Sequence, residues 1–292
     1  MRFPADVTAP DGVDWFRDRG DSPTIVSLSD VHGYLDAARS ALTAVGETEA
    51  HPPVVTVGDD GRLRWAGNDY LLLVNGDLVD RGPDNEACLD LVARLVDEAP
   101  PGRVRYHLGN HEMAVLFPAM FRWPGVFSVE LERDPRERFV DAVASGALPA
   151  AFEGYEYTYS HAGSNDPIDV PAVNATAATA AEEAADALDG TQQAQRDIAA
   201  ANSSVFGLGG VRGRGKDAGL LWMDFTHMRH EAPPQVVGHS RHERPTRKGN
   251  AVCQNVIRSN RASEGGEAVL LETPDGLTAV VREADGVSTM EV

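Results

Sequence analysis

From Leu71 to Pro83 the chain reads Leu-Leu-Leu-Val-Asn-Gly-Asp-Leu-Val-Asp-Arg-Gly-Pro. An unbroken apolar run of this length, with no alternation of polar residues, predicts a strand buried on both faces. It empties into a tight turn that carries Asp77, Asp80 and Arg81. Two carboxylates and a guanidinium at the mouth of a buried strand are costly unless they bind something. The rest of the chain therefore has to cover this strand and supply partners for its exit.

Four other apolar runs end the same way. Thr24 to Leu28 runs out into Ser29-Asp30-Val31-His32-Gly33, and Val104 to Leu108 into Gly109-Asn110-His111-Glu112. Tyr155 to Ser160 ends in His161-Ala162-Gly163, and Val236-Val237 in Gly238-His239-Ser240. In open α/β sheets, chemistry collects at the carboxyl ends of strands. Helical spacing follows two of the exits: Leu35, Ala38, Leu42 and Val45 share one face, as do Cys88, Leu91, Val92, Leu95 and Val96. Pro100-Pro101-Gly102 stops the second helix.

Residues 53–66 read as an inserted hairpin turning at Gly58-Asp59-Asp60-Gly61. Residues 164–206 are Ala-rich and acidic at their centre and read as one or two surface helices, divided at Gly190, that form a cap inserted in the main unit. The C-terminal part predicts consecutive strands at Ala251 to Ile257, Ala268 to Glu272 and Leu277 to Val281, with a turn at Pro274-Asp275-Gly276. Strands alternating with helices, then strands in succession, give the expected class: α/β, with two packed mixed β-sheets flanked by helices, in one domain over residues 1–292.

Composition narrows the setting. The net charge is −19, with 45 acidic residues against 26 basic ones, and Lys216 and Lys248 are the only lysines. Such a surface repels nucleic acid and acidic membranes, so neither is an expected partner. No apolar run approaches the ~20 residues of a membrane helix, and the Met1-Arg2-Phe3-Pro4 start has no apolar leader. A cytoplasmic protein is the expectation. Cys88 and Cys253, with no C-x-x-C spacing, suit core packing, not a thiolate site.

Carboxylate, amide and imidazole without sulfur suit manganese, iron or zinc. Two such ions a few ångströms apart need a shared ligand, and Asp77 lies in the middle of the set. Singly, Asp30 would be a turn residue, Asp80-Arg81 a turn ion pair, Asn110 a helix cap, and His161 and His239 satisfied structural histidines. The five motifs in order change that reading. Asp30-x-His32-Gly33, Gly76-Asp77-x-x-Asp80-Arg81-Gly82, Gly109-Asn110-His111-Glu112, His161-Ala162-Gly163 and Gly238-His239 resemble those of calcineurin-like metallophosphoesterases. The Asp80-Arg81-Gly82 and His111-Glu112 details resemble the phosphoprotein phosphatase branch in its bacterial and archaeal forms.

The resemblance implies an αββα sandwich holding two divalent ions, manganese first, with iron or zinc as alternatives. Asp30 and His32 would ligate one ion, Asp77 would bridge, and Asn110, His161 and His239 would complete the other. A hydroxide between the ions would attack phosphorus in line. His111 would protonate the leaving oxygen, Asp80 would hold its ring, and Arg81 would bind phosphate, with Asn110 at its side. The family brings a second phosphate-binding arginine from the region before the last histidine motif, which leaves Arg212 and Arg214 as candidates; Arg241 also could face phosphate. His242, His227, His230, His51 and His107 are expected outside the site.

Gly210-Val211-Arg212-Gly213-Arg214-Gly215-Lys216-Asp217 nearly matches a P-loop, but Asp217 replaces the hydroxyl that would hold magnesium. The expected activity is hydrolysis of a phosphomonoester, with a serine/threonine phosphoprotein or a small phosphoester as partner. A symmetrical dinucleoside tetraphosphatase, or another nucleotide phosphohydrolase, is the alternative. A non-catalytic scaffold on the same fold is the third reading, and the intact ligand set weighs against it.

Overall fold

The computed structural model describes residue 3 and residues 10–67, 69–121 and 123–292. Along the chain, α1 (Asp14–Arg17) leads to β1 (Thr24–Leu28) and α2 (Leu35–Val45), and the hairpin β2 (Val55–Val57) and β3 (Leu63–Trp65) precedes β4 (Tyr70–Val74). Next come α3 (Asn85–Glu98), β5 (Val104–Tyr106), α4 (Asn110–Leu116), α5 (Phe127–Glu130), α6 (Arg133–Ala144), β6 (Ala151–Glu153) and β7 (Thr158–Ser160). Three helices follow: α7 (Val170–Asp186), α8 (Gln192–Ala201) and α9 (Ser203–Phe206). The chain closes with β8 (Gln235–Val237), β9 (Thr246–Lys248), β10 (Ala251–Cys253), β11 (Ala268–Thr273), β12 (Gly276–Glu283) and β13 (Gly286–Glu291).

The strands form two mixed sheets, in the orders β13-β12-β11-β1-β4-β5 and β6-β7-β8-β10-β9. The pleat of β4 explains how they stack. Leu71 and Leu73 point to one face, where they meet Phe152, Tyr159, Val236 and Val252 of the second sheet. Leu72 and Val74 point to the other, into a cluster with Ala41, Leu42, Leu89 and Leu95 from α2 and α3. All five residues of β4 are buried, as a strand covered on both faces requires. The register Ile25↔Leu71 and Val26↔Leu72 keeps β1 in phase with this division, and a slip of one residue would exchange the two cores.

β1, β4 and β5 are parallel neighbours in the larger sheet, and β7 and β8 are parallel neighbours in the smaller. Their carboxyl ends carry the Asp30, Asp77, Asn110, His161 and His239 motifs. Asn75 joins the two sheets at this end, its amide donating to the carbonyls of Ser160 at 2.9 Å and Val236 at 3.3 Å.

Two expectations need correction. The strand predicted from Ala251 to Ile257 stops at Cys253. The chain then leaves the sheet edge because Gln254 and Asn255 turn inward, to Ser27 Oγ at 2.8 Å and Asp30 Oδ1 at 2.7 Å. The Ala-rich helices read as surface elements are partly core: Ala177, Ala180, Ala181 and Ala184 of α7 form a stripe at helical spacing, buried in the main cluster with α6. Cys88 and Cys253 are free and buried. Among the described residues no helix is long and apolar enough to cross a membrane.

Gln195 of α8 shows what anchors the helical insertion. It is fully buried; its carbonyl accepts from Ala119 N at 2.8 Å and Met120 N at 3.1 Å, and its amide donates to Ala187 O at 3.0 Å. Gln195→Leu keeps the bulk and strands these groups. It should destabilise the protein by about 1–3 kcal/mol, read from urea unfolding; unchanged stability would show that the insertion does not depend on this side chain.

Candidate metal centre

Asp77 follows β4 by way of Asn75 and Gly76, and its two carboxylate oxygens look in different directions. Oδ2 lies 3.5 Å from His32 Nε2 and 3.9 Å from His111 Nε2. Oδ1 lies 3.4 Å from His161 Nε2 and accepts from His111 N at 2.9 Å. A carboxylate placed this way faces two groups of nitrogen and oxygen atoms at once, the arrangement that a bridging ligand needs.

On one side, Asp30 Oδ1 lies 3.7 Å from His32 Nε2. His32 Nδ1 donates to Val79 O at 3.1 Å, which leaves Nε2 with its lone pair toward the carboxylates. On the other side, Asn110 Oδ1, His161 Nε2 and His239 Nδ1 converge: 3.2 Å from the amide oxygen to His161, 2.8 Å to His239, and 3.3 Å between the rings. His161 Nδ1 donates to Asn75 O at 3.2 Å, so its Nε2 is likewise freed inward. His32, Asp77 and His111 form one set of possible ligand atoms within 4.8 Å, and Asp77, His161 and His239 form another. All six residues proposed from sequence as ligands are brought together and buried.

His111 could join the first set by distance, but its other nitrogen is committed elsewhere. Nδ1 donates to Asp80 Oδ2 at 2.5 Å. Asp80 is in turn held by Ser128, whose N donates to Oδ1 at 2.8 Å and whose hydroxyl donates to Oδ2 at 2.6 Å. Burial works against protonation of His111, but the Asp77 and Asp80 carboxylates outweigh it and raise its pKa. A buried imidazole locked in one tautomer and biased toward the cation is equipped to give up a proton. Arg81 Nη2 lies 3.4 Å from His111 Nε2, at an exposed position, so its guanidinium is at the same place.

The backbone at these turns is strained. Seven described non-glycine residues have positive φ, and six of them are Asp30 (53°), His32 (51°), Asp77 (52°), Asp80 (74°), Arg81 (70°) and His239 (61°). Such conformations persist only where the surroundings over-determine them. Glu112 is the main restraint. Fully buried, it accepts from Asp77 N at 2.8 Å, Leu78 N at 3.0 Å, Gly109 N at 2.9 Å and Tyr106 OH at 2.5 Å. It fixes the Asp77 turn against the start of α4. Gly82 sits where a Cβ would fall 2.5 Å from the carbonyls of His32 and Gly33, so the first and second turns can interlock only through glycine.

Glu112, Ser128, Asn75 and Asn255 carry structural duties at the site that the motifs alone do not reveal. Glu112 had a signal, three residues past Gly109 at a helix start, the position of a reciprocal cap. Ser128 had none. Of the two arginines left open, Arg214 lies by the site: its Nη1 is 3.9 Å from Asp224 Oδ2, and its charge acts on His239. Arg212 is exposed, with φ of 52°. In the P-loop look-alike, the Asp217 carboxylate accepts from Gly210 N at 3.1 Å, so it occupies the place a phosphate would take. His107 is buried against Asn75 Oδ1 at 3.1 Å, and the His242 ring meets that of Phe225 edge-on.

The donors fit hard or borderline divalent cations. Burial, and the Asp77 carboxylate with it, push Asp30 up to about 7 against the pull of His161. Burial opposes charge on His161 too, yet Asp77 and Asp30 hold it up at about 9. Two buried carboxylates this close call for positive charge between them, which a divalent cation supplies better than an imidazolium. His239 Nε2 is buried and without a partner, which leaves Nδ1 as its working atom.

Ser128→Ala removes the hydroxyl bond to Asp80 while keeping the backbone one. It should cost about 1–3 kcal/mol of stability, the worth of a hydrogen bond to a buried charge, and urea unfolding would read it. A loss under about 0.5 kcal/mol would mean that Asp80 is positioned without the hydroxyl.

The fold is shared with solved phosphatase structures. The cold-active protein-tyrosine phosphatase of a psychrophile Shewanella species is 18% identical, aligned over 100% of this chain and 86% of that one, with a TM-score of 0.63. A point mutant of a cold-active protein tyrosine phosphatase gives the same identity and TM-score over 98% and 84%. A Saccharomyces cerevisiae protein serine/threonine phosphatase is 14% identical over 99% and 84%, with a TM-score of 0.46. At 18% identity the likeness to the two tyrosine phosphatase structures is one of fold. A family model described as calcineurin-like phosphoesterase matches residues 23–188, more than half of the chain, and with it the protein belongs to the calcineurin-like phosphoesterases.

Proposed function

We propose that the protein is a two-metal phosphomonoesterase of the phosphoprotein phosphatase branch, acting on phosphoserine and phosphothreonine. The observation that carries this reading is the division of labour around Asp77: one carboxylate faces two donor sets, and a separate His111–Asp80 pair stands beside it. Asp30, His32 and Asp77 would hold one divalent ion, and Asp77, Asn110, His161 and His239 the other, manganese being the first candidate. When bound, the ions supply Lewis acidity toward water and the phosphoryl oxygens.

The protein's own groups do the rest. Arg81, without a carboxylate partner among the described residues, offers a planar fork to two phosphate oxygens. Asn110 Oδ1 lies 2.8 Å from His239 Nδ1, and Arg214, whose charge acts on His239, is the second arginine that would hold the phosphate from that side. His111 Nε2 gives its proton to the leaving oxygen, and Asp80 Oδ2 keeps the ring oriented and stabilises its charge. Trp123, its ring 5.2 Å from that of His111, walls the leaving-group side next to a cleft of about 400 Å³ lined by Met120, Gln192 and Arg196.

A dinucleoside polyphosphatase is the second reading, favoured by one feature. Trp123, Phe121 and Trp222 form a row of rings 4.6 and 5.7 Å apart, running from His111 to within 6.1 Å of His239. Trp123, the half-buried end of this row, is where a nucleobase could stack, with Phe121 and Trp222 buried behind it.

Purified protein should hydrolyse an aromatic phosphomonoester only with added divalent metal, manganese serving best; hydrolysis at full rate in excess chelator would sink the reading. His111→Asn should lower kcat by ~10²–10⁴, while the bound metal measured by atomic emission stays at the wild-type ratio. Asp77→Asn should lose metal as well as activity, because both donor sets share that carboxylate. Comparing kcat/KM for a phosphoserine peptide and for diadenosine tetraphosphate decides between the two substrates, and a preference of more than about a hundredfold for the nucleotide would make the dinucleoside polyphosphatase the better reading.

A further inference from the structure

Most partnered arginines in this chain sit against carboxylates. Arg64 meets Asp60 and Glu98, Arg244 meets Glu283, Arg282 meets Glu47, and Arg229 meets Asp166. At a net charge of −19 carboxylates are plentiful. Arg81, Arg241 and Arg258 nevertheless have no ion-pair partner among the described residues.

The three also lie on turns around the metal centre, near enough that Arg81 and Arg241 act by charge on Arg258. Arg81 ends the Asp77 turn, Arg241 follows His239 by two residues, and Arg258 is in the 3₁₀ turn Ile257–Ser259 beyond β10. The last two loops are laced to each other, His242 N donating to Asn255 O at 2.9 Å and the Asn260 amide donating to Glu243 O at 2.9 Å. Three residues before Arg258, the Asn255 amide donates to Asp30 Oδ1 at 2.7 Å, which fixes this loop against the metal centre. Arg258 is half-buried; burial, and then Arg81 and Arg241, push its pKa down. The groups that pull the other way are Tyr34 and Asp30, and Asp30 is turned to the metal centre, its oxygens accepting from the Asn255 amide and from His239 N.

Three guanidiniums gathered without a counter-ion repel one another, and Asp or Glu at any nearby surface position would relieve that. Their arrangement makes sense if an anion completes it. The phosphate being hydrolysed is already matched by Arg81 and the cations, so two arginines are left over. Resting on the phosphoesterase reading above, we propose that Arg241 and Arg258 form, beside Arg81, a second anion subsite, and that the substrate carries a second phosphoryl group next to the one that is hydrolysed. A polyphosphate chain and a peptide with two neighbouring phosphoserines both present this chemistry.

The test is calorimetric binding of methylenebisphosphonate and of methylphosphonate to the metal-loaded protein at fixed free manganese. The bisphosphonate should bind at least about tenfold more tightly, the worth of one to two charge-assisted contacts. Arg258→Gln and Arg241→Gln should each remove most of that ratio, and Arg258→Lys should keep part of it. Arg241 is exposed, so its variant stands as a second measure if the half-buried Arg258 proves necessary for folding. Equal binding of the two ligands by the wild type, or a ratio unchanged in the glutamine variants, overturns the subsite. The source follows from kcat/KM of Arg258→Gln: a loss on a doubly phosphorylated peptide beyond that on the singly phosphorylated one points to phosphoproteins, and a loss on diadenosine tetraphosphate points to polyphosphates. A protein that hydrolyses none of these yet keeps the calorimetric ratio fails as a phosphoesterase while the subsite stands; hydrolysis without the ratio fails the subsite alone.

Discussion

Everything at the carboxyl end of the two sheets is arranged around one carboxylate that must face two ways. Asp77 can do so only if the turn after β4 brings its backbone into the left-handed region, φ 52°, and if donor sets from both sheets arrive at matching depth. The first condition costs of order 1–3 kcal/mol per strained residue; six such residues lie within this one site. The second fixes the packing of one sheet on the other, because His32 comes from the larger sheet and His161 and His239 from the smaller. Asn75 meets that condition directly, with its amide on two carbonyls of the second sheet and its own carbonyl accepting from His161.

Glu112 is the counterweight to the strain. Four donors converge on one buried carboxylate, and burial, with Asp77 close by, raises its pKa. Removing water from a carboxylate is tolerable here because every lone pair that matters is used. The gain is positional: two turns from different strands become one rigid unit, and Asn110 and His111 start α4 at a defined height beside Asp77. Gly82 and Gly109 make the interlock possible, since a Cβ at Gly109 would lie 2.3 Å from Asp77 Oδ1.

The sequence made the two-sided burial of β4 plain, because three leucines and a valine in succession leave no solvent face. The candidate ligands were legible only jointly: singly Asp30, Asn110, His161 and His239 each have a structural use after an apolar run, as Asn75 does, and it is five such exits in order that point to a metal site. The partners of those residues were not. Ser128 stands 48 residues from Asp80 and Asn255 stands 225 residues from Asp30, and nothing local distinguishes either from an ordinary loop residue. The strand predicted through Ile257 failed for the same cause, since Val256 and Ile257 are apolar and buried but the amides of Gln254 and Asn255 pull the chain off the sheet. Alanine spacing in α7 did encode a buried stripe, yet the acidic residues between the alanines masked it as a surface helix.

Charge ties the centre to the remainder of the molecule. A surface at −19 disfavours the approach of a phosphate ester nearly everywhere, an effect that fades beyond the Debye length of about 8–10 Å. Arg81, Arg241 and Arg258 interrupt that field at the site, and among the described residues their charges are not spent on carboxylates. Positive charge gathered at the rim of the site, on a body that is negative overall, concentrates the potential that an anionic ligand feels where chemistry can follow. Some exposed arginines elsewhere, such as Arg64, Arg229 and Arg244, are instead locked to Asp and Glu, which weakens their pull on a phosphate.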